Sequence, residues 1–175
     1  IIDDLNNDKR MNRLLLGDVG SGKTIVSFLS IYGMVNSNYQ CALMAPTEIL
    51  AKQHYENFKK LFPNIEVDLL VGSLTKKQKE IINSNIKNGY TKVLIGTHAL
   101  IQDNIEFNNL GLVITDEQHR FGVNQRGILK DKGTMPDVLY MSATPIPRTY
   151  ALTIYGDMDI STIKTIPKGR KIINT

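Results

Sequence analysis

The 175-residue chain has no tryptophan, a single cysteine and few aromatic residues, 7% in all. One cysteine excludes an internal disulfide and any metal site built from a cysteine cluster. Cys41 lies in the apolar run Cys41-Ala42-Leu43-Met44-Ala45, where it reads as a small core residue. No apolar run reaches the roughly 18 residues needed to span a bilayer. The start Ile1-Ile2-Asp3-Asp4 carries neither the basic residues nor the long apolar stretch of a secretory signal. We therefore expect a soluble, cytoplasmic protein. There is no internal repeat and no low-complexity segment. Tyrosine and phenylalanine fall mostly on helical stripes, so no aromatic platform for stacking bases is evident, and any nucleic-acid binding should rest on phosphate contacts and weaken with salt.

What is present is an ordinary globular composition, 42% hydrophobic and 22% charged, in a chain long enough for one substantial core. The net charge of +4 fits an anionic partner without requiring one. Apolar runs of strand character recur at residues 13–16, 41–45, 67–71, 92–95, 112–115 and 138–141. Continuous rather than alternating apolar runs mean burial on both faces of a sheet. Between them lie helical segments. In residues 48–62, Ala51, Tyr55, Phe58 and Phe62 follow one another on a single stripe. Thr75-Lys76-Lys77-Gln78 has the spacing of a capping box, and Asn88-Gly89 supplies a left-handed stop. Residues 104–109 and 130–136 read as surface connections, and the basic, turn-rich residues beyond about 165 read as a linker. Strands alternating with helices predict an α/β fold, a doubly wound and mostly parallel sheet. Ligands in such sheets bind beyond the carboxyl ends of the strands.

One loop carries a specific chemistry. Gly17-Asp18-Val19-Gly20-Ser21-Gly22-Lys23-Thr24 follows the first strand and opens a helical run over residues 24–35. It meets the spacing G-x-x-x-x-G-K-[ST], in which glycines let consecutive backbone N–H groups turn inward onto phosphate oxygens. Lys23 is expected to reach the β- and γ-phosphates and the Thr24 hydroxyl to ligate magnesium. A second signal is the strand 112–115 followed by Asp116-Glu117. Asp116 is placed to hold Mg²⁺, and Glu117 to polarise an attacking water. The sequence has neither an Arg-rich lid segment, as a small-molecule kinase requires, nor the base-reading N-K-x-D of a GTPase. Hydrolysis of ATP that drives motion is the reading left.

Asp116-Glu117-Gln118-His119 resembles the D-E-x-H motif II of superfamily 2 helicases. Ala45-Pro46-Thr47-Glu48 resembles their motif Ia, Gly96-Thr97-His98 their next DNA-contacting motif, and Ser142-Ala143-Thr144 their motif III. The order along the chain is also that of the superfamily. Within it the chain is similar to RecG-type helicases, through residues 11–24, 45–54, 96–102, 116–126 and 143–156. Gln118 and Ala99 favour that branch over the transcription-repair coupling translocases, which share His119-Arg120-Phe121-Gly122-Val123. Ser142 departs from the threonine usual there but keeps the hydroxyl.

The resemblance implies a RecA-like motor lobe over residues 1–165, with residues 166–175 beginning a linker to a second lobe that carries an arginine finger. A wedge domain would precede the first lobe. With no initiator methionine, the chain is expected to be an excised piece of a bacterial, nucleoid-associated protein that acts on branched or forked DNA. Gln118 and His119 would link the hydrolytic site to motif III. Pro46, Thr47, Thr97 and His98 would lie against the DNA backbone, where hydroxyls and helix N-termini can donate to phosphates. Arg148 is open between DNA and the lobe interface, as is the pair Arg120-Phe121.

Overall fold

The structure, a computed structural model, describes residues 1–7, 10–101, 105–116, 136–143 and 158–164. Among the described residues, seven strands form one sheet: β1 (Asn12–Gly17), β2 (Gln40–Met44), β3 (Val67–Leu70), β4 (Val93–Gly96), β5 (Leu110–Asp116), β6 (Asp137–Ser142) and β7 (Asp159–Ile163). Their spatial order is β3-β4-β2-β5-β6-β1-β7, and every neighbouring pair is parallel. Parallel strands need both faces covered. Accordingly β2, β4 and β6 are buried at every position.

The alternation of side chains divides the core into two sides. Leu15, Cys41, Leu43, Ile95, Leu112, Ile114, Leu139 and Met141 point to one face, under α2 (Lys23–Asn36) and α3 (Glu48–Leu61). Phe28 of α2 and Phe58 of α3 meet edge to face there, with ring centroids 5.2 Å apart. Both are fully buried, and each such side chain contributes about 1.5–3 kcal/mol by leaving water. Ala42, Met44, Leu94 and Val113 point to the other face, where they pack against Ile86 of α4 (Lys76–Lys87) and against Leu100 in the 3₁₀ turn His98–Ile101. Further along that face, Leu14, Leu16, Val138 and Tyr140 cluster with Met158.

The helix ends follow their local chemistry. Thr47 caps α3 by accepting from the Leu50 N–H at 3.3 Å. Thr75 and Gln78 form the reciprocal capping box of α4, and Gly89 takes a left-handed φ of 74° just beyond it. The stripe of α3 is also as expected: Ala51 and Phe58 are buried, and Tyr55 and Phe62 pack partly against the core.

Three features differ from the sequence reading. β7 was not anticipated as a strand, because Asp-Ile-Ser-Thr-Ile has neither a continuous apolar run nor a strict alternation, at a sheet edge that is only half covered. A short helix, α1 (Ile2–Leu5), precedes the sheet. Ile105, in the segment read as a surface connection, is 3% exposed and plugs the second face beside Leu100 and Ile86. Ile105 and Phe107 are the two apolar residues of a short polar segment, too few to set a period, so their packing shows only in three dimensions. Residues 130–135 and the expected linker lie outside the described residues.

Candidate functional site

β1 ends at Gly17 and α2 begins at Lys23, so the whole glycine loop spans the carboxyl end of a strand inside the sheet, next to the edge strand β7. Gly20 and Gly22 hold φ values of 78° and 99°, a region that a Cβ makes costly. Gly22 is the N-cap of α2 and, as glycine, offers no capping side chain, so the first-turn amides face into the loop. Gly17 is needed for a different reason: a Cβ there would overlap Ser21 Oγ and press on Lys23 Cγ and Ile163 Cβ, both at 3.3 Å. That Ser21 oxygen is buried without a hydrogen-bond partner among the described residues. The result is a tight cradle of donors around one small space.

Lys23 Nζ donates to the carbonyl oxygens of Gly17 at 2.6 Å and Asp18 at 2.9 Å. The ammonium is therefore held at the mouth of the loop. Asp116, the last residue of β5, is separated from the loop strand by β6 alone, roughly 10 Å at the usual strand spacing. The two strand ends border a common cleft of about 280 Å³, lined by Lys23, Thr24, His54, Asn57, Asp116 and Ala143 among others. A second opening of about 490 Å³ runs from the same loop between α2 and α3, past Phe28, Asn57 and Leu61.

His54 was not singled out from the sequence, yet it is the direct partner of Asp116. Its Nε2 lies 2.9 Å from Asp116 Oδ2, and it is 6% exposed. The only available signal was a polar residue on the apolar stripe of α3, three positions after Ala51.

The strands next to this cleft bring a second group together. β2 and β4 are adjacent, and Ala45 N–H donates to the Gly96 carbonyl at 2.8 Å. Pro46 and Thr47 after β2 thus lie beside Thr97 and His98 after β4. The Thr47 hydroxyl already serves as the cap of α3, which leaves its own O–H as a donor. Glu48 reaches the loop after β3, accepting from Ser73 N–H at 3.0 Å and Ser73 Oγ at 2.8 Å. Those two bonds hold the Glu48 carboxyl below its ordinary value. They also tie the loop after β2 to the loop after β3, on either side of β4, a link that the sequence reading missed. Glu117, Gln118, His119 and Arg148, with the Arg120-Phe121 pair and Thr144, lie outside the described residues.

An all-parallel, doubly wound sheet with a glycine cradle on one interior strand and a carboxylate two strands away defines a RecA-like, nucleotide-binding lobe. A family model described as DEAD/DEAH box helicase matches residues 1–153. The chain belongs to the DEAD/DEAH box helicase family.

It is similar to the ATP-dependent DNA helicase RecG of Streptococcus pneumoniae, 57% identical over the whole chain and 26% of that protein. The RecG of Staphylococcus epidermidis is 58% identical, again over 26% of its length. Among solved structures, RecG bound to a three-way DNA junction superimposes with a TM-score of 0.83 at 52% identity, covering 97% of this chain and 23% of that one. The chain thus spans about a quarter of the length of the curated relatives that it matches.

Proposed function

We propose that this chain is the ATP-binding first lobe of a DNA helicase motor that acts on branched DNA, remodelling stalled replication forks and migrating Holliday junctions in recombination and repair. The observation that carries it is the single cleft lined together by Lys23, Thr24 and Asp116. A phosphate-binding loop and a carboxylate can hold the two ends of a metal–triphosphate only if they open on the same space. The likeness to RecG proteins supplies the substrate class. Residues 1–165 form the lobe, residues 166–175 lead toward a second lobe, and a wedge domain and that lobe complete the parent protein.

The residues present fit this ligand. The left-handed glycine backbone, the overlap that any Cβ on Gly17 would cause and the Ser21 hydroxyl, without a partner among the described residues, make a space shaped for phosphate oxygens. Residues 17–24 contact the phosphates, Lys23 by exchanging its carbonyl partners for phosphate oxygens. Thr24 and Asp116 would hold Mg²⁺, which neutralises charge on the phosphates. Glu117 orients the attacking water, while Gln118 and His119 connect hydrolysis to DNA. Pro46, Thr47, Thr97 and His98 receive the DNA backbone, and Arg148 is a further contact on the DNA or lobe-interface side. An arginine supplied by the second lobe is worth roughly 10³ to 10⁵ in rate in comparable systems, so this lobe alone should turn over very slowly.

The deciding experiment measures forked-DNA unwinding and DNA-stimulated ATP hydrolysis by the parent protein with Lys23→Ala. A fall of roughly 10²-fold or more is expected, the usual loss when one preorganised charge-stabilising donor is removed. Unwinding that survives the substitution would leave a binding platform rather than a motor.

A further inference from the structure

His54 stands on α3, seven residues after the cap Thr47. Its Nε2 is 2.9 Å from Asp116 Oδ2, and a carboxylate oxygen only accepts, so Nε2 carries the hydrogen in this contact. The imidazole also makes a T-shaped contact with Phe28, with ring centroids 6.2 Å apart. Phe28 belongs to α2, the helix that issues from the glycine loop. One buried ring thus packs against the loop helix and bonds the carboxylate at the end of β5. It also lines the cleft with Lys23 and Thr24.

We propose that His54 is a positioning residue for the magnesium-bound nucleotide, holding the Asp116 carboxylate in one orientation by engaging Oδ2 and leaving Oδ1 for the metal or its water. The inference rests on the nucleotide reading above. An exposed aspartate rotates freely, and the cost of fixing it falls on the binding step. A carboxylate already held by a buried N–H has met that cost during folding. Partners of this kind around metal-binding carboxylates are worth roughly 10 to 100-fold in metal affinity. A histidine that merely fills space beside Phe28 would act on stability and leave the metal dependence alone.

The test uses the parent protein with His54→Ala and His54→Gln, the latter carrying an amide N–H close to the position of Nε2. Binding of a fluorescent, non-hydrolysable ATP analogue is followed in a chelator and across a Mg²⁺ titration, with thermal melting as a control for folding. His54→Ala should raise the Mg²⁺ concentration for half-maximal binding roughly 10-fold and leave the affinity in chelator unchanged. His54→Gln should recover most of the difference. If His54→Ala does not fold, His54→Leu, close in volume and without a donor, takes its place. An unchanged Mg²⁺ requirement in the folded variant, or an equal loss with and without Mg²⁺ that glutamine does not repair, would overturn the proposal. Analogue binding by the parent protein that Lys23→Ala leaves unchanged would instead remove the nucleotide reading itself.

Discussion

Lys23 Nζ donates to the carbonyl oxygen of Gly17, six residues earlier, at 2.6 Å. The bond closes the glycine loop on itself and parks a cation where triphosphate oxygens are proposed to lie. Lys23 is only half-buried, so its removal should act on binding and not on the fold. In Lys23→Ala, affinity for ATP should fall at least about 10-fold, in line with the loss of one charge-assisted contact. Melting without nucleotide should shift by less than about 2 °C, as for a surface substitution. Titration and calorimetry on the same preparation separate the two effects.

Two glycines should respond oppositely to alanine. A Cβ on Gly96 would run into the Leu70 carbonyl of the neighbouring strand and sit 3.2 Å from Leu100 Cγ. Backbone cannot step aside, so Gly96→Ala should cost roughly 2–3 kcal/mol. Gly33 lies inside α2, where an added methyl group would meet no atom of the described residues within 4 Å. Gly33→Ala should therefore stabilise by about 0.5–1 kcal/mol through helix propensity. Chemical denaturation of both variants checks the sign.

Gln40 should be far less replaceable than its polarity suggests. Its Nε2 donates to the carbonyls of Ile86 and Thr91, both at 2.8 Å, and its Oε1 accepts from the N–H groups of Asn108 and Asn109 at 2.7 and 2.9 Å. The side chain is 2% exposed, so a single residue at the start of β2 satisfies four backbone groups from two connections. Gln40→Leu is close in volume and strands three of them, since the Ile86 carbonyl still accepts from Gly89 N–H at 3.0 Å. A loss of roughly 3–5 kcal/mol is expected, since each buried orphan costs about 1–3 kcal/mol and relaxation recovers part. A denaturation midpoint unchanged by this substitution would contradict the count.

Two carboxylates should give stability opposite pH dependences. Hydrogen bonding from Arg13 holds the Asp4 carboxyl below its ordinary value of 3.8. Its contribution is therefore present above 3.8 and is lost as pH falls through the lowered value. Burial pushes Asp137 above 3.8, against the opposing bond from Met11 N–H. The protonated form is favoured on folding, so its contribution is present below 3.8 and is lost as pH rises through the raised value. Relative to the unsubstituted protein, Asp4→Asn should lose less stability on acidification. Asp137→Asn should lose less as the pH rises from 3.8. Melting temperature as a function of pH, for each variant, reads both signs.

Much of the fold was legible because its signals are local. Each of β1 to β6 overlaps an apolar run read from sequence, for two-sided burial forces continuous apolar composition. The cap at Thr75 and the stop at Gly89 depend on neighbours within a few residues. The glycine loop was legible for the same reason: its conformation is dictated by residues 17–24 themselves. β7 was not legible, because a half-covered edge strand has no burial requirement strong enough to write a pattern. Nor was Ile105, whose core position depends on which turn of chain lies above it.

What the sequence alone determined about this protein is therefore the cradle, the strand ends that carry its acidic and hydroxyl groups, and the parallel sheet that orders them. Only the tertiary structure decided that Asp116 is met by His54, 62 residues away, and that Gln40 serves the ends of two distant connections. It also placed Lys23, Thr24 and Asp116 on one cleft. The reason is physical. Steric and hydrogen-bond preferences act over a few residues and leave a periodic trace. Contacts between distant residues are selected by the summed burial of the whole sheet and its helices, which no single segment encodes.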